Sequence, residues 1–123
     1  MPEARTPVHR CRRDRARRYL RFVDGMEGVR ERDIEQYFIR RVREAGGLQR
    51  KFVSPGVRGV PDRIVGFPKG VFAFVELKAP GEKPRPDQQR EHHRWEKLGF
   101  LVYVVDSKAA VDVVIDYLVF LGE

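Results

Sequence analysis

From Val29 onward the apolar positions of the chain fall into regular patterns. Ile34, Tyr37, Phe38, Val42 and Ala45 recur at three- and four-residue spacing, which predicts an amphipathic helix that Gly46-Gly47 ends. Leu48–Val53 predicts a short strand, and the breaker-rich run from Ser54 to Pro61 a loop. Asp62–Phe67 and Val71–Lys78 predict two strands joined by Pro68-Lys69-Gly70, a turn short enough to make a hairpin. Ala79–Pro86 carries three prolines and is irregular. Asp87–Leu98 predicts a helix with Gln88, His92, Trp95 and Leu98 along one side, stopped by Gly99. Phe100–Val105 is almost continuously apolar and predicts an interior strand. Ser107 then caps a last helix, Ala109–Leu121, whose buried stripe is Val111, Val114, Ile115 and Leu118. The order α-β-β-β-α-β-α predicts an α/β fold, a small mixed sheet flanked by helices.

Residues 1–25 lack any such pattern, although Tyr19, Leu20, Phe22 and Val23 could pack onto the body or end a short helix. The charge sits there. Residues 1–23 hold eight Arg and two acids, a net of +6, whereas residues 24–123 net only +1 of the total +7. The chain therefore divides into a basic arm over 1–25, expected to be flexible, and a near-neutral body over 26–123. An arginine-rich arm suits phosphate, and nucleic acid above all; a merely solvating tail has the same composition.

With 123 residues, 41% of them hydrophobic, there is room for one core and no second. No run approaches the roughly 18 apolar residues of a membrane span, and the N-terminus has no apolar signal region, so no membrane association is expected. The single cysteine, Cys11, excludes an internal disulfide framework and a multi-cysteine zinc site. These features predict an intracellular protein.

The hairpin carries the chemistry. A turn centred on Lys69 places Asp62 directly across from Glu76, with Cβ atoms about 5 Å apart. Lys78 lies two residues beyond Glu76 and points to the same face, continuing a stripe that begins with Phe72 and Phe74. Two carboxylates at that separation repel by about 3 kcal/mol at an effective dielectric near 20. A bound cation removes the repulsion, and a few hard oxygen ligands with open positions suit Mg2+ or Mn2+. An aspartate at a strand start beside a surface Glu-x-Lys pair is the ordinary alternative.

Gly59-Val-Pro-Asp62, followed by Glu76-Leu-Lys78, resembles the Asp…Glu-x-Lys signature of the PD-(D/E)XK nuclease superfamily. The stretch from Arg30 to about Leu118 is, more narrowly, similar to a VRR-NUC domain. The motifs are Glu-Arg-Asp-Ile at 31–34, the loop and aspartate at 54–62, Phe-Val-Glu-Leu-Lys-Ala-Pro at 74–80, Arg-Pro-Asp-Gln at 85–88 and Gly-Phe-Leu-Val-Tyr-Val-Val at 99–105.

This resemblance implies a restriction-endonuclease-like PD-(D/E)XK core and a metal-dependent DNA endonuclease. The small stand-alone members act on branched DNA, some as homodimers on four-way junctions, and such a chain is of bacterial or bacteriophage type. It also implies that Asp62 and Glu76, with the main-chain carbonyl of Leu77, hold the metal. Lys78 orients or activates the attacking water, or neutralises the phosphate. Glu31 matches the family's first-helix glutamate, with Glu35 one turn on as the fallback, and Gln88 matches the glutamine that faces the site. Flap, single-stranded or plain duplex DNA remain alternative substrates, as does a non-catalytic nucleic-acid-binding protein that uses the arm.

Arg58 and Arg63 flank Asp62 and are candidate nucleic-acid contacts, as are Lys83, Arg85 and Arg90 at the entrance to the second helix. Asp87 reads as a helix-start charge. His92 and His93 are adjacent rather than one turn apart, so they cannot share a face as zinc ligands. One is expected to pack near Trp95, itself a core residue, and the other to face solvent or phosphate. The apolar content of Val111–Phe120 and Phe100–Tyr103 exceeds what so small a core needs, which motivates a homodimer.

Overall fold

The computed structural model describes residues 28–123, and the basic arm over 1–25, with Cys11, lies outside the described residues. Helix α1 runs Glu31–Glu44 and buries Ile34, Phe38 and Val42, the face its periodicity predicts. The Arg30 N–H donates to Asp33 Oδ2 at 2.9 Å and closes its first turn. Strand β1 is Leu48–Lys51, two residues shorter than predicted, although the Phe52 N–H still donates to the Asp62 carbonyl at 2.8 Å. Beyond Phe52 the chain leaves the sheet, and Val53 is exposed.

Strands β2 (Arg63–Phe67) and β3 (Val71–Leu77) form the predicted hairpin. Their register sets Arg63 against Val75 and Phe67 against Val71, which is the pairing a turn centred on Lys69 requires. That turn, Pro68–Gly70, is a single 3-10 turn in which Lys69 takes φ +68° and Gly70 φ +74°. Helix α2, Pro86–Lys97, crosses over to β4, Leu101–Val105, which pairs parallel to β3. Helix α3, Lys108–Leu121, starts one residue before the predicted Ala109 and is capped by Ser107 as predicted, the Ala110 N–H donating to Ser107 Oγ at 3.0 Å.

The sheet order is β1-β2-β3-β4, antiparallel except for the last pair. This corrects the reading of β4 as an interior strand, because among the described residues it pairs only with β3. Its apolar run comes from cover on its faces rather than from a neighbour on each side. Val102, Tyr103 and Val105 are all buried.

Alternation along β3 divides the fold into two layers. Ala73, Val75 and Leu77 join Ile34, Phe38 and Val42 of α1 and Val111, Val114, Ile115 and Leu118 of α3 in one dry core. Each of these side chains larger than alanine contributes about 1.5–3 kcal/mol. The opposite face carries Phe72, Phe74 and Glu76 and meets α2. There Phe74 packs on Trp95 at 4.6 Å between ring centroids, with Phe52 and Phe100 at about the same level. Trp95 is thus part of the packing, and its Nε1–H donates to Glu91 Oε2 at 3.0 Å.

The apolar surplus expected of Val111–Phe120 and Phe100–Tyr103 is mostly used within the chain. Val111, Val114, Ile115, Leu118, Val102 and Tyr103 are buried, and only Phe100 and Phe120 of those segments stay markedly exposed. Those two segments therefore supply little motive for a dimer.

Candidate active site

Glu76 occupies the middle of the site. It is 1% exposed, held there because β3 alternation turns it toward α2 while the strand is covered on both faces. Extension of the hairpin register by one pair sets Asp62 opposite it. The Asp62 backbone is tied by its carbonyl to Phe52, and its Oδ2 accepts the Leu77 N–H at 3.1 Å, so the aspartate bridges the end of β2 to the end of β3. Lys78 continues the parallel ladder, its N–H donating to the Val105 carbonyl at 3.0 Å. Its ammonium lies 3.3 Å from Glu76 Oε2.

Gln88 completes the clamp from α2. Its Oε1 accepts the Arg85 N–H at 2.8 Å and its Nε2 donates to Glu76 Oε2, also at 2.8 Å. The first bond sets which way the amide points, so a glutamine fits here where a glutamate would present a second acceptor to Glu76. Lys78 and Gln88 both engage Oε2. The other oxygen, Oε1, is buried without a hydrogen-bond donor among the described residues, with His92 Nε2 at 3.8 Å.

The electrostatics follow from that geometry. Burial first, and the Asp62 charge second, push the Glu76 carboxyl up to about 7, against the opposing pull of Lys78. Glu31, on the first turn of α1, is also raised, by partial burial and then by Asp62, with Lys78 opposing and Glu82 and Glu35 adding to the rise. It therefore shares the field of the site. Glu35 is engaged elsewhere, 3.4 Å from Arg63 Nη2.

Those contacts leave Arg63 little free surface for the nucleic-acid contact expected of it. Its side chain is only 11% exposed and is spent on Glu35 and on Gln49 Oε1, at 2.9 Å. As the first residue of β2, paired across β1, it points away from the side chain of its neighbour Asp62. Arg58, by contrast, is 88% exposed. Arg85 holds Asp87 at 3.2 Å and lowers its carboxyl, so Asp87 is the helix-start charge expected. Lys83 and Arg90 are exposed beside them.

Two residues beside the site were given no role there by the sequence. His92 is buried against Glu76, whereas only packing near Trp95 was expected of one histidine of the pair; its partner His93 is exposed. The signal was there, since Gln88 and His92 sit one turn apart on the same side of α2. Gly59 is the other: a Cβ built on it would lie 2.6 Å from the Asp87 carbonyl oxygen.

Among the described residues no three His, Cys, Asp or Glu side chains are gathered at metal-binding spacing. The donor set nevertheless fits a hard divalent cation. A buried carboxylate oxygen lacks a donor, a second carboxylate stands across the hairpin, and Mg2+ commonly takes only one or two protein carboxylates besides water and phosphate.

A hairpin with an aspartate facing a Glu-x-Lys strand, covered by helices on both faces, is the core of a PD-(D/E)XK nuclease. Comparison with known proteins gives the narrower placement. The chain is 55% identical over 83 residues to "Putative nuclease p44" of Acyrthosiphon pisum secondary endosymbiont phage 1, which covers 68% of this chain and 89% of that protein. It superposes on a solved structure described as "VRR_NUC domain" with a TM-score of 0.67 and 42% identity, over 71% of this chain and 95% of the other. No family model matches the chain. The chain belongs to the VRR-NUC nuclease family.

Proposed function

We propose that this nuclease is a divalent-metal-dependent endonuclease acting on branched DNA, with four-way junctions as the preferred substrate. The observation that carries the reading is the meeting of Asp62, Glu76 and Lys78 at the hairpin mouth, with Glu76 Oε1 buried and lacking a donor. Asp62, Glu76 and the Leu77 carbonyl would hold Mg2+ or Mn2+. The bound ion supplies Lewis acidity toward a phosphoryl oxygen and hydroxide at neutral pH.

The chain's own groups do the rest. Gln88 and Lys78 pin Glu76 Oε2, so that Oε1 keeps its direction. Lys78 places positive charge where the pentavalent phosphate oxygens develop. Glu31, rather than Glu35, completes the carboxylate set, because Glu35 is tied to Arg63. DNA backbone is held by Arg58, Lys83, Arg85 and Arg90. Arg94 joins them across an open groove of about 500 Å3 between the 56–58 loop and α2. The basic arm over 1–25 adds an electrostatic hold on phosphate.

Symmetric cleavage of a junction needs two sites related by a two-fold axis, which a homodimer provides. The fold carries no helix among the described residues long and apolar enough to cross a membrane, and a relative comes from a phage. We place its work on DNA inside a bacterial host.

The test is cleavage of labelled four-way junction, flap, duplex and single strand by the full chain, with Mg2+, Mn2+ or chelator. Paired nicks across the junction, abolished by chelator, are expected. Equal cutting of all substrates removes the junction preference. Cleavage that survives chelator removes the metal, and sedimentation at a concentration-independent monomer mass removes the dimer.

A further inference from the structure

We infer that Gly59 is a positioning residue: its missing side chain lets the 54–61 loop seat on the backbone of the first turn of α2, and this seat holds Gln88 on Glu76. A Cβ at Gly59 would lie 2.6 Å from the Asp87 carbonyl oxygen, 2.8 Å from the Asp87 carbonyl carbon and 3.0 Å from the Gln88 nitrogen. Those are backbone atoms of a hydrogen-bonded helix start, and no rotamer change can move them aside. Gly59 also takes φ +86°, which disfavours any side chain.

The contact couples two parts of the site. Three residues after Gly59 the chain reaches Asp62, held at the end of β2. On the other side, Gln88 reaches from its own backbone to Glu76 through a 2.8 Å bond. A methyl group wedged between loop and helix separates them by the better part of an ångström. The atoms displaced belong to Asp87 and Gln88 themselves, so the first turn of α2 carries Gln88 off Glu76. Gly28, Gly46, Gly56, Gly70 and Gly81 also take positive φ, and an added Cβ on any of them meets nothing within 4 Å among the described residues. Gly46 has φ +83° and meets nothing within 4 Å of an added Cβ, so it shares the backbone strain without the contact.

The proposal rests on Glu76 belonging to a nuclease site, and its test separates the two. Gly59→Ala, Gly46→Ala, Gln88→Ala and the Gly59→Ala/Gln88→Ala double variant are compared with the parent chain. The first readout is the side-chain amide resonance pair of Gln88 in metal-free protein. It is expected away from solvent-exposed positions in the parent chain and in Gly46→Ala, and displaced toward them in Gly59→Ala. The second is kinetic: kcat falls about 10²-fold in Gly59→Ala, while Gly46→Ala keeps kcat.

The double variant is expected to be no slower than Gln88→Ala. An unmoved Gln88 resonance in Gly59→Ala overturns the inference, as does a kcat loss no larger than that of Gly46→Ala. If Gly59→Ala is unfolded at 25 °C, the spectra are taken at 5 °C. Failure to fold there also overturns the inference, since a positioning contact leaves the fold standing. Should the parent chain cleave nothing, the resonance alone still decides the seat, and only the nuclease reading falls.

Discussion

The two faces of strand β3 carry different kinds of burial. On one, Ala73, Val75 and Leu77 meet the apolar side chains of α1 and α3. On the other, Phe74 and its aromatic neighbours give way within one alternate position to Glu76, as deeply buried as the valines. The first face needs only shape. The second holds a carboxyl that burial and Asp62 disfavour, kept in place by Lys78, Gln88 and the covering helix. The contrast teaches that one strand provides the stability and also holds a costly group, and that the cost is borne at the site proposed for the chemistry.

Four substitutions test that division. The largest effect is expected of Lys78→Ala, which should lower cleavage about 10²–10³-fold while junction binding persists; retained cleavage would move the chemistry off this face. Ile115→Ala, on the dry side, should cost about 2–5 kcal/mol of stability in denaturant titration and leave kcat per folded molecule unchanged. A kcat loss there would mean the two faces are not separable.

The third concerns protons. Glu76 titrates near 7 when folded against an ordinary value of 4.5, so the folded state binds the extra proton between them. Stability of the metal-free protein should therefore fall as pH rises from about 4.5 through about 7, then level off. Mg2+ should restore stability most above that window, and Glu76→Gln should flatten the pH dependence; thermal melts across pH check both. A melt curve indifferent to pH in the parent chain would show that the carboxyl is not held neutral. The smallest effect is expected of Arg94→Ala, which should raise KM modestly and reduce the salt dependence of DNA binding by about one unit of slope. An unchanged slope would leave that arginine out of the groove's contacts.

Much of this molecule is readable from local signals. Helix periodicity, the Gly46-Gly47 stop and the Ser107 cap act within a few residues, and each stands where predicted. So does the hairpin register, because Pro68-Lys69-Gly70 leaves the flanking strands a single way to pair, and that pairing brings Asp62 to Glu76. The resemblance to VRR-NUC domains supplied Gln88 and Glu31, which geometry alone would have left among several polar residues.

Other features depend on which surfaces meet. Periodicity shows that Gln88 and His92 share a side of α2, but only packing against the even residues of β3 turns that side toward Glu76. Arg63 and Arg58 look alike beside Asp62, yet strand alternation buries one on Glu35 and leaves the other in solvent. An apolar run such as Leu101–Val105 reports cover on its faces, not its place in the sheet. What the amino-acid order determined alone is the set of elements and the hairpin that pairs its acids, because those follow from backbone preference over short distances. Which helix face covers the second side of the sheet, and how closely Gly59 lets it approach, was decided by tertiary contact, because steric fit between distant segments has no local signature.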